Sequence, residues 1–220
     1  MSRSTILLCA AAAAILVMVL TTVTVAQHWS PYPQNRFGGD FAMVDTTGRP
    51  VTQKDLLGHP TVLYFGYTYC PDVCPTTLLQ ITNAMAKMGP LADRLNVVFV
   101  TVDPKRDTPE QMRLYLSSFD PRICGFTGTE AQAAAMAKAY HVYCKRVPGE
   151  NGDYLMDHFA GIMMFDAAGA LQGIATYDGG EKDLLAKLTA LAEPGACHRG
   201  LPTPSSLWDR PGAASLCDAS

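Results

Sequence analysis

The chain has 220 residues, of which 48% are hydrophobic and 17% charged, with a formal net charge of −3. This length accommodates one domain of ordinary size with appendages, but not two full domains. It is long enough to bury a real core without help from disulfides. Because no surplus of basic residues is available to neutralise phosphates, the composition argues against a nucleic-acid binder.

An uncharged apolar segment lies near the N-terminus, from Ile6 to Val25. Its 20 residues span roughly 30 Å as a helix, the thickness of a bilayer's hydrocarbon core. Arg3 precedes the segment, which favours a cytoplasmic N-terminus and export of everything that follows. A cleaved signal peptide is the alternative, because Thr24 to Ala26 resembles a small-residue cleavage site, but the apolar run exceeds the usual signal core. We expect a retained membrane helix with the domain on the exported side, as at the periplasmic face of a bacterial inner membrane.

The remaining sequence divides by composition. We assign residues 1–26 to the anchor or uncleaved signal, 27–36 to a polar linker and 37–192 to the folded domain. Residues 193–220 are rich in Pro, Gly and Ser and lack apolar periodicity, so we expect a mostly irregular tail.

Apolar periodicity and turn residues predict the elements of the domain in chain order. A hairpin turns at residues 45–48, and buried strands cover 61–68 and 96–102. Helices are predicted at 76–88, from Thr108 onward, at 129–140 and at 181–191, and a brief strand near 123. Further strands are predicted at 141–147, 154–165 and 171–177, the last two joined by a turn at 166–169. This order indicates an α/β fold with a mixed sheet flanked by helices and an N-terminal β-hairpin.

The most informative motif is Cys70-Pro-Asp-Val-Cys74-Pro, between a predicted buried strand and a helix. A cysteine pair in such a unit is typical of a thioredoxin-like fold. The free N–H groups and the positive end of the helix dipole stabilise thiolates there, and thiolates bind metals and attack disulfides. Thioredoxin-type motifs have two residues between the cysteines, whereas three here leave room for a metal ion between the sulfurs.

The expected metal follows from ligand softness. Two thiolates favour Cu(I), although zinc and iron–sulfur clusters also use them. Imidazole is a common third ligand, and the chain offers five histidines: His28, His59, His141, His158 and His198. His158 is the best placed, because in a thioredoxin-like fold the loop before the corresponding strand faces the cysteine turn. The alternative for His158 is a partly buried histidine with no ligand role.

Residues 65–78 resemble the signature of the Sco (SenC) family of copper chaperones. Residues 102–109 resemble that family's second block and Asp157-His158 its third, and the likeness covers about residues 37–192. The resemblance implies copper ligands at Cys70, Cys74 and His158. It also implies a membrane-tethered thioredoxin-like domain that helps to build the dinuclear copper centre of cytochrome c oxidase subunit two.

Two modes of action suit these residues. A copper carrier passes its ion by ligand exchange and turns over no substrate, whereas a thiol–disulfide oxidoreductase would reduce cysteines of exported protein substrates. In the second mode Cys70 and Cys74 are the redox-active pair and form a disulfide when oxidised. A peroxidase is a weaker alternative, because nothing marks a single peroxidatic thiol with an activating arginine.

Residues around the motif are expected to have structural roles. Asp72 is expected to cap the helix at the surface, and Arg106 and Asp107 to pin their own loop. Asp103 is expected to accept loop N–H groups, with a contact to a metal ligand as the alternative. The methionines are expected to fill the core, although Met156 shares a strand face with His158.

Four further cysteines lie outside the family pattern. Four cysteines permit three pairing arrangements. The arrangement we favour joins Cys124 to Cys144 and Cys197 to Cys217, and the second bond would close a loop of about 20 residues worth roughly 3 kcal/mol. If one of these thiols instead reached the pocket, a fourth ligand would favour zinc.

Overall fold

The apolar runs along the chain form a mixed sheet with helices on both faces, seen in a computed structural model that describes Met18, residues 38–149 and residues 152–193. The chain divides into two units, Met1–Arg36 and Phe37–Ser220, and every element below belongs to the second. The predicted anchor and tail lie outside the described residues. Among the residues described, no helix is long and apolar enough to cross a membrane.

The second unit contains nine strands and four α-helices in its described part. The strands are β1 (Ala42–Asp45), β2 (Pro50–Thr52), β3 (Thr61–Gly66), β4 (Asn96–Thr101), β5 (Ile123–Thr127), β6 (Cys144–Pro148), β7 (Tyr154–His158), β8 (Ile162–Phe165) and β9 (Leu171–Ala175). The helices are α1 (Val73–Met88), α2 (Pro109–Leu116), α3 (Glu130–Ala139) and α4 (Gly180–Ala192).

Seven strands form the main sheet in the order β2-β1-β5-β4-β3-β8-β9. The central strands β3, β4 and β5 run parallel, while β1 and β8 flank them antiparallel. All six residues of β3 are buried, which explains why its sequence is continuously apolar rather than alternating. Strands β6 and β7 pair with each other in a separate two-stranded ribbon.

Aromatic packing shows which helices cover each face of the sheet. On one face the ring of Tyr64 packs against Phe99, which in turn contacts Tyr115 of α2. Helix α1 lies on this face, and α4 packs along it. On the opposite face Tyr140, which follows α3, contacts Phe65 of β3. The sheet flanked by helices that the sequence predicts is therefore confirmed.

Local signals located the two hairpin turns and the cap of α2 correctly. In the first hairpin the N–H of Gly48 donates to the carbonyl of Asp45 (3.0 Å), and in the second the N–H of Gly169 donates to that of Asp166 (2.9 Å). The Thr108 hydroxyl accepts a hydrogen bond from the N–H of Gln111 at the start of α2. Each of these contacts joins near neighbours, which is why short sequence patterns reveal them.

The predicted strand at 154–165 is wrong as a single strand. The chain leaves β7 after His158 and enters β8 at Ile162, which lies in the main sheet. The ring of Phe159 lies 2.2 Å from the position that a Cβ on Gly161 would take, so only glycine permits this packing. Strand β6 also begins later than predicted, because His141 has a left-handed φ of 53°.

Candidate metal centre

The cysteine pair lies where β3 ends and α1 begins. Helix α1 starts at Val73, three residues before the prediction, so Cys74 belongs to its first turn. The backbone N–H of Cys74 donates to the sulfur of Cys70 (N···Sγ 3.4 Å). This N–H has no partner inside the helix, and the helix dipole adds to its attraction for a thiolate. Cys70 is half-buried and Cys74 is buried.

The two thiols ionise very differently. A hydrogen bond from the Cys74 thiol lowers the pKa of Cys70 to about 4 despite burial, and the backbone N–H groups of Asp72 and Cys74 contribute. The hydrogen bond to Cys70 raises the pKa of Cys74 above its ordinary value, and burial raises it further. The pair therefore holds one thiolate near neutral pH, on the more accessible sulfur.

The imidazole of His158 reaches this pair from the end of β7. Its Nε2 lies 3.5 Å from the sulfur of Cys74, and its Nδ1 lies 3.0 Å from the carbonyl oxygen of Phe159. Because a carbonyl only accepts hydrogen bonds, Nδ1 carries the proton and the lone pair of Nε2 faces the sulfurs. The ring of Tyr67 packs edge-on against the imidazole and restricts its rotation.

One ligand atom from each of Cys70, Cys74 and His158 lies within 4.8 Å of the other two. Within the described ranges this is the one such group of histidine, cysteine or acidic side chains, so His59 and His141 take no part in it. His28 and His198 lie outside the described residues. Two sulfurs and a neutral imidazole form a soft donor set, which fits Cu(I) well and also suits zinc.

Arg106 ties the ribbon that carries His158 to the cysteine turn. Its guanidinium pairs with the buried carboxylate of Asp103 and stacks on Tyr154 (3.8 Å) and Tyr69 (4.8 Å). It also donates to the backbone carbonyl of Tyr154 (3.1 Å). The prediction that Arg106 pins its own loop is thus incomplete, because it also fixes the ribbon.

The two acidic residues beside Arg106 have distinct partners. Asp103 accepts hydrogen bonds from Arg106 and from the Tyr154 hydroxyl (2.9 Å) rather than from loop N–H groups. Asp107 accepts from the backbone N–H (3.1 Å) and hydroxyl (2.7 Å) of Thr68 and from the Thr101 hydroxyl. Asp107 lies 39 residues after Thr68 in the chain. By holding Thr68, it fixes the segment that leads to Cys70.

Two other sequence expectations have clear outcomes. Asp72 is exposed at the N-cap position of α1, but its side chain makes no capping hydrogen bond, so the predicted cap is wrong. Met156 is partly buried and packs against the core, as expected for a core-filling methionine.

The predicted Cys124–Cys144 disulfide is wrong. Cys144 is a free thiol, whereas Cys124 is disulfide-bonded. Cys124 lies in the main sheet opposite Val98, and Cys144 lies in the ribbon opposite His158, so the two belong to different sheets. Cys70 and Cys74 are free as well. Cys197 and Cys217 lie outside the described residues.

Gly66 is a site residue that the sequence reasoning missed. A Cβ at this position would lie 2.9 Å from the sulfur of Cys74 and 2.6 Å from the ring of Phe99. The glycine thus lets the first turn of α1 rest directly on the end of β3. Its place at the end of the apolar strand, just before the cysteine turn, was the signal available in the sequence.

Gly66→Ala is expected to destabilise the reduced, metal-free chain by about 1–3 kcal/mol, because the added methyl group overpacks a rigid contact. Urea unfolding measures this loss. Gly39→Ala is the matched control, since a Cβ there meets Ala139 at an ordinary 3.5 Å. Equal stability of the two variants would contradict the close-packing account.

Cys70 is expected to alkylate at a nearly constant rate from about pH 8 down to about pH 5, because it stays a thiolate. The rate should fall below that, with a midpoint near about 4. The same thiolate stabilises the reduced fold above its ordinary pKa of 9.0, and this contribution is lost as the pH falls through about 4.

Brief iodoacetamide pulses followed by peptide mass spectrometry give the rate at each cysteine. Cys144 is the internal control, because burial raises its pKa and its rate should climb with pH. Parallel profiles at Cys70 and Cys144 would show that the helix terminus does not activate Cys70.

Together the sheet, the flanking helices and the cysteine turn define a thioredoxin-like domain whose thiol pair is joined by an imidazole. The family model described as SCO1/SenC matches residues 30–193, which is most of the chain. The chain therefore belongs to the SCO1/SenC family.

Solved structures and a curated relative agree with this assignment. The chain resembles Bradyrhizobium japonicum ScoI with copper bound (TM-score 0.66, 44% identity, covering 70% of this chain and 99% of that one). It also resembles yeast Sco1 with copper bound (TM-score 0.65, 33% identity, covering 70% of this chain and 86% of that one). Arabidopsis thaliana SCO1 homolog 1, mitochondrial, is 40% identical over 122 residues, or 55% of this chain. The match spans only 36% of that relative's length.

Proposed function

We propose that this chain binds copper as Cu(I) through Cys70, Cys74 and His158 and acts as a copper chaperone. The observation that carries the proposal is the approach of all three ligand atoms to within 4.8 Å of one another. The copper-bound state of similar solved structures supports the choice of metal. The proposed recipient is the dinuclear copper site of cytochrome c oxidase subunit two, as the family resemblance implies.

The ionisation of the pair suits reversible binding of a monovalent ion. Cys70 is already a thiolate, so Cu(I) displaces a proton only from Cys74. Cys70 is also the more accessible sulfur and follows the exposed Tyr69. An incoming or departing ion can therefore exchange ligands at Cys70 while Cys74 remains enclosed.

We further propose that residues 6–25 anchor the domain to a membrane, with the domain on the exported side. The support is the uncharged apolar run after Arg3. Such a tether confines the carrier to the membrane surface, where a membrane-bound oxidase presents its copper site.

His158→Ala is expected to weaken Cu(I) binding by at least about 100-fold, because losing a ligand costs more than losing a partner that supports one. Anaerobic competition against a chromophoric Cu(I) chelator measures the affinity of the reduced chain. His59→Ala is the matched control, since His59 lies outside the ligand group. A wild-type chain that takes up no copper would refute the chaperone proposal.

Thiol–disulfide exchange is a second candidate function, favoured by the low pKa of Cys70 beside a buried thiol. The Cys70 thiolate attacks a substrate disulfide, forms a mixed disulfide and releases one substrate thiolate. Cys74 then loses its proton and attacks the Cys70 sulfur, which frees the second substrate thiolate and leaves a Cys70–Cys74 disulfide. Two electrons thus pass to the substrate, and the oxidised pair cannot hold Cu(I).

Cys74→Ser is expected to trap the mixed disulfide between Cys70 and a peptide disulfide substrate, because the neighbouring thiol that resolves it is gone. Non-reducing mass spectrometry detects the adduct, and Cys144→Ser is the control that should complete the exchange. If the wild-type chain leaves the substrate oxidised while it binds Cu(I), the carrier function stands alone. His158→Ala should keep most of the exchange activity, since the imidazole is needed only for copper.

A further inference from the structure

Three buried hydroxyl groups lie on the inner side of the cysteine pair without a hydrogen-bond partner. They belong to Tyr64, Thr77 and Tyr115, and none of the described residues supplies a donor or acceptor to them in good geometry. Tyr64 and Thr77 are almost completely buried, at 1% and 0% exposure. An unsatisfied buried hydroxyl costs about 1–3 kcal/mol, so a group of them calls for a physical explanation.

The sulfur of Cys74 is the polar atom that the Tyr64 hydroxyl approaches. Tyr64 and Gly66 are two apart on β3 and share one face, and the Cys74 sulfur rests on Gly66. Thr77 follows Cys74 by three residues on the buried face of α1. The Tyr64 hydroxyl therefore lies next to both the Cys74 sulfur and the Thr77 hydroxyl.

Copper binding changes the acceptor that Cys74 offers to the Tyr64 hydroxyl. A neutral thiol sulfur is only a weak hydrogen-bond acceptor. Binding of a metal ion removes the Cys74 proton to solvent and leaves a thiolate, which is a strong acceptor. The donor is already in place beside the sulfur that gains the charge.

We propose that the Tyr64 hydroxyl donates a hydrogen bond to the Cys74 thiolate in the copper-bound state, with Thr77 orienting that hydroxyl, so that Tyr64 is a positioning residue for the inner copper ligand. No proton passes from Tyr64 to the sulfur. The inference rests on the proposed copper binding. Hydrogen bonds to a ligating sulfur tune a metal site, and partners of this kind change metal affinity by about 10–100-fold.

If Tyr64 acts as a positioning residue, Tyr64→Phe should lower the Cu(I) affinity without lowering the stability of the metal-free chain. A residue that acts only through packing would lower both. Tyr64→Phe keeps the ring against Phe99 but removes a hydroxyl that is unsatisfied without metal. The melting temperature of the reduced, metal-free variant should therefore stay the same or rise. Its Cu(I) affinity should fall roughly tenfold. Thr77→Val should fold normally, and its Cu(I) affinity should fall about threefold, since the variant removes only the group that orients the Tyr64 hydroxyl.

Tyr115→Phe is the matched control. Its hydroxyl is also buried and unpartnered, and its ring contacts Phe99, but it makes no hydrogen bond toward Cys74. We expect this variant to bind Cu(I) as the wild type does. Calorimetric melting and anaerobic chelator competition on the whole chain give both quantities for every variant.

The possible outcomes separate the failure of copper binding from the failure of the role of Tyr64. A wild-type chain that binds no Cu(I) overturns the proposed function itself, whatever Tyr64 does. Wild-type affinity in both Tyr64→Phe and Thr77→Val overturns the role of Tyr64 and leaves copper binding intact. Equal losses in Tyr64→Phe and Tyr115→Phe, or a lower metal-free melting temperature in Tyr64→Phe, would show that the Tyr64 hydroxyl supports the fold in general and not the Cys74 sulfur, and would overturn the proposal.

Discussion

The sulfur of Cys74 occupies the space that a side chain on Gly66 would fill, and the site depends on this close approach. Because the helix rests directly on the strand, its first free N–H reaches the sulfur of Cys70 and stabilises a thiolate there. The same contact fixes Cys74 at 3.5 Å from the imidazole of His158. A bulkier residue at position 66 would push the inner sulfur away from both partners.

His158, the third member of the candidate metal centre, lies outside the main sheet. His158 ends the β6–β7 ribbon, which forms no ladder with the seven central strands. Arg106 makes the connection instead, since it pairs with Asp103 after β4 and stacks between Tyr69 and Tyr154. Breaking a buried ion pair of this kind typically costs several kcal/mol. The convergence of the three ligands is thus maintained by side chains as well as by backbone.

Sequence patterns predicted the features that are encoded locally. The buried strands, the capped helix after Thr108 and the two hairpin turns each depend on neighbouring residues, and the cysteine pair lies within one turn. Long-range contacts could not be predicted from such local patterns. The break between β7 and β8 depends on the Phe159 ring covering Gly161. Cys144 does not pair with Cys124 because it lies in the two-stranded ribbon, whereas Cys124 lies in the main sheet. The position of His158 followed from element order and family resemblance, because its contact to Cys74 spans 84 residues.

The asymmetry of the two sulfurs connects the two candidate functions. Cys70 carries the charge and is accessible, so it meets either a copper ion or a substrate disulfide first. Cys74 is enclosed and protonated, and in both reactions it must lose that proton before it can act. Any group that stabilises the Cys74 thiolate therefore favours the second step of each reaction. The Tyr64 hydroxyl and the Cys74 sulfur are both almost completely buried, and a hydrogen bond between buried groups is stronger than one at the surface.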